Sequence, residues 1–180
     1  MSDEEYTPEK TVRGISLWQP WASAVALGSK RIETRSWPTL YRGPLVIHAA
    51  KRHVRSELIH MACCYNWMGA LHDPWGHRKA YKDLPFGSLV AVCDLVDCRK
   101  TDTFTVGELD AQRRAPGETT DHCAWTERQM GDFAPGRYGW VLDNIRPLEQ
   151  PVPYRGSQGF FYVPERLITQ EVWPEFAELT

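Results

Sequence analysis

The residues from 87 to 98 constrain the fold of this chain most. They read Gly-Ser-Leu-Val-Ala-Val-Cys-Asp-Leu-Val-Asp-Cys and form its longest stretch rich in β-branched side chains. Such side chains pack well on a pleated, buried surface. We therefore expect a central strand here, and a second buried strand at the continuous apolar run of residues 44–49.

Shorter segments complete the expected secondary structure. Pro20 stands where the first turn of a helix tolerates proline, and Gly28 follows as the residue that ends this helix. Strands interleaved with short helices indicate an α+β fold. The predicted strands are 12–17, 30–35, 44–49, 87–98, 138–145 and 159–163; the predicted helices are 21–27, 51–67, 105–114, 120–130 and 164–179, with a loop at 72–82.

Length and composition indicate one domain. A chain of 180 residues with 42% hydrophobic and 12% aromatic residues can bury a core of its own. No apolar stretch approaches the roughly 18 residues that a membrane span requires. Residues 1–11 form an acidic N-terminal segment without an apolar signal region, which we expect to be a flexible tail. We expect a cytoplasmic monomer without membrane association.

The cysteines and histidines do not indicate a metal site. Five cysteines occur without any Cys-x-x-Cys pair, and the closest histidines, His72 and His77, stand in a segment rich in proline and glycine. A glycine-rich phosphate loop is also missing from the sequence, which argues against a nucleoside triphosphatase. We expect no metal and no cofactor.

The segment from 16 to 35 carries the strongest functional signal. Ser-Leu-Trp-Gln-Pro-Trp-Ala precedes Gly28-x-Lys30-x-x-Glu33-x-Arg35. On an extended strand Glu33 and Arg35 point to the same face, whereas Lys30 lies at the turn that opens the strand. Cations beside aromatic rings suit an anionic ligand with a flat ring, such as a nucleotide. The alternative is a surface ion pair next to core tryptophans.

These residues resemble the ASCH domain family, which is named for homology to the activating signal cointegrator. This family is a branch of the PUA-like superfamily. The resemblance continues through 36–39, 41–51, 86–90, 136–142 and 156–160, and it spans roughly residues 13–163. It implies a PUA-like β-barrel of five or six mostly antiparallel strands with peripheral helices. We assign residues 12–163 to this domain and expect 164–180 to be a helix packed on it.

Charge is distributed unevenly although the net charge is only −2. Between residues 28 and 55, seven basic residues stand against one acidic residue, so that this segment carries a net charge of +6. A single basic face fits local contact with phosphates, and the alternative is a solvated rim. The seven are Lys30, Arg31, Arg35, Arg42, Lys51, Arg52 and Arg55.

Ligand-binding candidates follow from the motif, the basic segment and the resemblance. Several of the eight tryptophans must be core residues, but a tryptophan at the end of a strand can stack on a base. The candidates are Ser16, Trp18, Gln19, Trp21, Lys30, Arg35, Trp37, Lys51, Arg52, Arg55, Tyr138, Gln158 and Gly159.

A catalytic alternative also follows from the resemblance. Small ASCH-type proteins include amidohydrolases that deacetylate N4-acetylcytidine with a lysine, a threonine and a glutamate, and others are described as ribonucleases. Lys30 matches the lysine, Glu33 stands where the threonine is expected, and Asp94 corresponds loosely to the glutamate. A lysine acts as a base only when its pKa falls well below about 10.4, and a neighbouring carboxylate opposes that shift.

Three functions are therefore open at this point. The first is binding of RNA, single-stranded nucleic acid or a nucleotide or modified nucleoside. The second is hydrolysis of an acylated nucleoside or of RNA by Lys30, Glu33 and Asp94. The third is a protein-interaction module of the transcription coactivator type. The first predicts that Lys30→Ala or Arg35→Ala weakens nucleic-acid binding without unfolding the chain.

Overall fold

A computed structural model of the chain describes residues 9–53, 81–111 and 126–168. These residues form six strands, three short α-helices and three single 3₁₀ turns. The strands are β1 (Thr11–Leu17), β2 (Ile32–Arg35), β3 (Gly43–Ala49), β4 (Ser88–Lys100), β5 (Tyr138–Pro153) and β6 (Phe161–Pro164). The helices are α1 (Trp21–Ala26), α2 (Val106–Asp110) and α3 (Glu127–Met130).

The six strands form one mixed sheet in the order β2-β5-β4-β3-β1-β6. β1 and β3 are parallel, and the other neighbouring pairs are antiparallel. The predicted α+β class with six mostly antiparallel strands is confirmed. Within the described residues the backbone ladder keeps two ends, β2 and β6, so the sheet is not closed into a barrel. A side chain joins β2 to β1 instead: Arg35 donates to the main-chain oxygen of Ser16.

The main core lies along the inner strands. β4 pairs with both β3 and β5, as the sequence predicts for a central strand. Side chains from the neighbouring strands meet in one apolar cluster that includes Ile15, Ile47, Leu95, Trp140 and Leu142, all fully buried. Helix α1 adds Ala22 and Val25 to this cluster. The first helix is thereby fixed against the sheet, with Trp18 and Trp21 at its beginning.

Several predicted elements differ in extent from those observed. The strand predicted at 138–145 continues to Pro153, because it pairs with nearly the whole length of β4. The helix predicted at 105–114 ends at Asp110, after Thr105 has begun it with a capping box. Of the helix predicted at 120–130, the described part forms only α3. Residues 51–53 are not helical, and the rest of the predicted 51–67 helix lies outside the described residues.

The structure describes only the beginning of the predicted C-terminal helix. Glu165–Leu167 form a 3₁₀ turn where the sequence predicts the beginning of an α-helix. Residues 169–180, which would complete that helix, lie outside the described part of the chain. Among the described helices, none has the length and apolar character needed to span a bilayer.

Candidate nucleic-acid interface

A cleft of about 1460 Å³ opens between the end of β1 and strand β2. One wall consists of Ser16, Leu17 and Trp18, and the facing wall of Glu33, Thr34 and Arg35. Three further segments complete the rim: residues 50–52 after β3, residues 129–132 at the end of α3, and residues 153–159 between β5 and β6. A concave site therefore lies at the point where the sheet does not close.

Arg35 and Glu33 form the centre of the β2 wall. The Arg35 Nη2 atom donates to the Ser16 carbonyl oxygen at 2.9 Å, and its Nε atom lies 3.1 Å from Oε1 of Glu33. The two side chains are 22% and 13% exposed. Their common face, which the two-residue spacing predicts, is the cleft. The bridge from Arg35 to β1 fixes the width of the cleft at this point.

Lys30 lies behind this wall. Its side chain is fully buried, and its ammonium donates to the carbonyl oxygens of Ile32 at 2.5 Å and Met130 at 3.0 Å. The third neighbour is Oε2 of Glu33, 3.4 Å from Nζ. The ammonium thus donates to two backbone carbonyl oxygens and has Glu33 as its ionic partner. The geometry therefore gives Lys30 the role of holding Glu33 and α3 in place.

Glu127 completes the buried network beside Lys30. This carboxylate is fully buried in α3, and it accepts hydrogen bonds from the backbone N–H groups of Arg31 at 2.6 Å and Ile32 at 3.1 Å. These backbone amides compensate part of the cost of burying the carboxylate. Glu127 and Lys30 thus fasten α3 to the beginning of β2. This contact brings Met130, Gly131 and Asp132 to the rim of the cleft.

The charged residues of the cleft are mostly basic. Five basic residues and two acidic ones line it, so that the formal charge of the lining is +3. Among them, Arg35 and Arg137 are tied to neighbours, Arg137 by hydrogen bonds to the Asp132 and Thr34 carbonyl oxygens. The others, Lys51, Arg52 and Arg155, are exposed. Within the described part of the chain no ion pair holds these three side chains, so they are available to an anionic ligand.

Aromatic side chains line the same cleft. Trp18 is 47% exposed and lines the cleft. Trp21 and Trp37 are partly buried and pack against the main core. Trp37 meets the ring of Trp140 edge to face at a centroid distance of 4.6 Å, so its orientation is fixed by the core. Trp18 therefore offers a free ring face, and Trp37 a rigid one, beside the basic residues.

A serine and a histidine form a hydrogen-bonded pair in the cleft wall. His48 Nδ1 lies 3.0 Å from the Ser16 hydroxyl, and His48 Nε2 lies 3.1 Å from the Tyr154 carbonyl oxygen. A carbonyl oxygen can only accept, so Nε2 carries the proton and the unprotonated Nδ1 of the neutral ring accepts from Ser16. Gly156 lies against both side chains: a Cβ atom there would come within 2.4 Å of Nδ1 and 2.5 Å of the Ser16 oxygen.

The burial of His48 makes the stability of the fold depend on pH. Burial lowers the pKa of His48 below its ordinary value, although the hydrogen bond to Tyr154 partly opposes this shift. The unfolded chain then binds this proton more readily than the folded one below about pH 6.5. The contribution of His48 is therefore fully present above that pH and is lost as the pH falls through the lowered pKa.

We predict that the free energy of unfolding of the wild type decreases when the pH is lowered from 7.5 to 5.5. The free energy of unfolding of the His48→Gln variant is expected to decrease less over the same interval. Urea unfolding at the two pH values measures both changes. An equal decrease in the wild type and the variant would show that His48 does not cause the dependence.

Comparison with known proteins identifies the family. The model of the ASCH domain matches residues 15–139. The chain belongs to the ASCH domain family. Activating signal cointegrator 1 of Homo sapiens and that of Mus musculus are each 35% identical to it over 91 residues, which is 50% of this chain. The aligned region is 15% of the length of those relatives, so the likeness concerns a small part of each.

Solved ASCH structures are also similar. The crystal structure of ASCH from Zymomonas mobilis has 15% sequence identity and a TM-score of 0.47, with 86% of this chain and 88% of that chain covered. A tyrosine-to-phenylalanine mutant of the Zymomonas protein gives a TM-score of 0.46 at the same identity, with 88% and 96% covered.

Most of the ligand candidates of this ASCH domain come together at the cleft. The motif and the basic segment, which overlap in sequence, meet there the loop before β6, which follows them about 100 residues later in the chain. The candidates that line the cleft are Ser16, Trp18, Trp21, Arg35, Trp37, Lys51, Arg52, Gln158 and Gly159, together with Glu33 from the catalytic set. Whether they bind a ligand stays a prediction.

Other candidates lie elsewhere in the ASCH domain. Gln19 is fully buried and bridges the Pro85 carbonyl oxygen and the Ser23 N–H. Tyr138 packs against the main core. Asp94 pairs with Pro44, at the opposite end of β3 from the cleft, and accepts from Asn144. The structure therefore does not bring Asp94 to Lys30 and Glu33. Arg55 lies outside the described residues.

Sequence reasoning missed several polar and charged residues of the cleft wall, among them His48, Arg137, Tyr154 and Arg155. His48 is hidden in the apolar run of β3, and Arg137, Tyr154 and Arg155 stand far from the basic segment. The position of His48 within the family-like segment 41–51 was a usable signal, because a lone polar residue in a buried strand requires a hydrogen-bond partner. For Arg137 and Arg155 the sequence contains no comparable signal.

Proposed function

We propose that this ASCH domain binds single-stranded nucleic acid, RNA in the first place, in the cleft between β1 and β2. Exposed cations on the rim contact the phosphates, and an indole ring stacks on a base. Single-strand binding sites commonly combine a positive groove with aromatic platforms. The family resemblance, which implies a site for RNA or a nucleotide, supports the same proposal.

The observation that carries the proposal is the juxtaposition of Trp18 with Lys51, Arg52 and Arg155. A tryptophan that is 47% exposed contributes little to the core, and three exposed cations in one cleft repel one another when no anion is present. Both features are explained by a ligand that has a flat ring and negative charges. A free nucleotide has both, and a strand offers several phosphates to the three cations.

The hydrolase alternative receives less support from the same geometry. A lysine that acts as a base must reach the substrate, but Lys30 is fully buried, donates to the carbonyl oxygens of Ile32 and Met130 and is paired with Glu33. Glu33 does line the cleft. Its carboxylate is available to bind a base amino group, in addition to its contacts with Arg35 and Lys30.

We predict that Trp18→Ala weakens binding of a short single-stranded RNA about 5- to 150-fold, the equivalent of 1–3 kcal/mol for one stacked base. Fluorescence anisotropy with a labelled oligonucleotide measures the dissociation constant. Tyr162→Ala is the matched control, because Tyr162 is an exposed aromatic residue (60%) on β6 outside the cleft lining.

Unchanged binding in a folded Trp18→Ala variant would show that Trp18 does not stack on a base of the bound RNA. The name of the curated relatives suggests an interaction module as the remaining alternative. A protein partner competes with single-stranded RNA for the cleft only where the two sites overlap.

RNA binding that does not weaken at high salt would contradict the phosphate contacts.

A further inference from the structure

The hydrogen-bond polarity of Ser16 determines which ligand group can bind beside it. In the neutral pair the Ser16 proton points to His48 Nδ1, because Nε2 must donate to the Tyr154 carbonyl oxygen. The hydroxyl has one proton and two lone pairs. Once that proton is engaged, the Ser16 oxygen can only accept a further hydrogen bond. A phosphate oxygen, which is itself an acceptor, is therefore disfavoured at this point, whereas a ligand hydroxyl or amino group is favoured.

Gly156 packs beside this oxygen in the lining of the cleft. A side chain at residue 156 would collide with Ser16 and His48, since its Cβ would lie 2.5 Å from the serine oxygen and 2.4 Å from Nδ1. The backbone of Gly156 does not require glycine by its φ angle, unlike that of Gly159 at φ +70°. The absence of a side chain at 156 is therefore explained by close approach and not by the turn.

The position of Ser16 relative to Trp18 favours a sugar over a base as the donor. Both residues line the cleft and stand two apart, a separation of about 6–7 Å in an extended chain. The ribose is bonded to its base. A base that stacks on the Trp18 indole would therefore bring its ribose into the part of the cleft that Ser16 lines. The 2′-hydroxyl is the group by which proteins distinguish RNA from DNA, and it can donate.

We propose that Ser16, polarised by His48, accepts a hydrogen bond from a ribose 2′-hydroxyl and thereby selects RNA over DNA. This inference rests on the proposed function and adds a specificity to it. Ser16 is then a specificity-determining residue, and His48 and Tyr154 are positioning residues that fix the direction of its hydroxyl.

The test compares four labelled strands of one sequence by fluorescence anisotropy: RNA, DNA, 2′-fluoro RNA and 2′-O-methyl RNA. The 2′-fluoro strand keeps a sugar shape close to that of RNA but has no proton to donate. We expect wild-type protein to bind RNA about 3- to 10-fold more tightly than the other three, the range for one net hydrogen bond. Ser16→Ala is expected to reduce RNA binding to the level of DNA and to leave DNA binding unchanged.

Two further variants are included in the comparison of RNA and DNA binding. Ser36→Ala is the matched control, because Ser36 is another serine of the cleft lining but is exposed and lies on the facing wall, after β2. It is expected to keep the RNA preference. Gly156→Ala is expected to abolish the preference although Ser16 itself remains, because the added Cβ would displace the Ser16–His48 pair. Urea unfolding shows that each variant is folded under the conditions of the binding assay.

Each outcome decides a different part of the proposal. Equal wild-type affinity for RNA and DNA, or a preference that Ser16→Ala does not change, would overturn the ribose assignment and leave the proposed function intact. Equal weakening of RNA and DNA by Ser16→Ala would mean that a base amino group is the donor, which also overturns it. No binding of any strand would overturn the proposed function and this inference together.

Discussion

Lys30→Met is expected to destabilise the fold by about 3–5 kcal/mol, the range for removing one partner of a buried ion pair. Methionine nearly preserves the volume of the side chain, so the loss reports on its ammonium. Without it, the carbonyl oxygens of Ile32 and Met130 lose this donor, and Glu33 loses one of the two cations with which it pairs among the described residues, Arg35 being the other. Each unsatisfied buried acceptor costs about 1–3 kcal/mol.

Urea unfolding followed by circular dichroism measures this effect. Arg31→Met is the matched control, because Arg31 is adjacent in sequence but its side chain is 47% exposed and 4.0 Å from Asp143. A surface pair of this kind contributes about 0–1 kcal/mol. Equal stability of Lys30→Met and the wild type would mean that the buried network does not hold α3 on β2.

This result would also change how the Lys30→Ala binding experiment is interpreted. The sequence predicts that this variant weakens binding without unfolding the chain. The structure gives a different expectation, because a fully buried lysine that fastens α3 cannot be removed without affecting the cleft wall. Arg35→Ala is affected similarly, since Arg35 joins β2 to β1. The exposed cations of the rim provide a cleaner test of ligand binding.

Replacing Lys51, Arg52 and Arg155 together with alanine is expected to weaken single-stranded RNA binding about 100-fold at 0.1 M salt. Each phosphate contact to a single strand contributes a slope of about 0.7 in log K against log salt. Three lost contacts therefore remove a factor of about 10² between 0.1 M and 1 M salt. All three residues are exposed, so stability is expected to change little.

The matched control is the triple variant of Lys10, Lys82 and Lys100 to alanine. These lysines are exposed and lie outside the cleft lining, and their removal changes the net charge by the same amount. A general attraction between the protein and RNA would weaken equally in both triple variants. A contact specific to the cleft would weaken only in the variant of Lys51, Arg52 and Arg155.

The strands of this fold are predictable from sequence because each is a local pattern. Residues 87–98 identify β4, and residues 44–49 identify β3, because apolar and β-branched runs of this length are typical of buried strands. The two-residue spacing of Glu33 and Arg35 also correctly predicts that they share a face. The approach of β2 to the end of β1 was not predictable, because the two strands do not pair in the sheet and are joined by the Arg35 contact with the Ser16 backbone.

The position of Lys30 illustrates the limit of sequence reasoning at the site. In the sequence it stands in a basic motif beside Glu33, and a cation in such a motif is usually exposed. Its burial depends on Met130, 100 residues away, whose carbonyl oxygen accepts from it. No local pattern reports that contact. The charge of the segment 28–55 is similarly misleading, because Arg31 and Arg42 pair with Asp143 and Asp97 instead of lining the cleft.

The salt dependence of single-stranded RNA binding tests the central claim most directly. The dissociation constant is measured by anisotropy between 0.05 M and 0.5 M salt for the wild type and for the triple variant of Lys51, Arg52 and Arg155. We predict that the logarithm of the association constant, the reciprocal of this dissociation constant, falls linearly with log salt in the wild type and that the magnitude of the slope is smaller by about 2 in the variant. Equal slopes in the two proteins would contradict binding of the phosphates in this cleft.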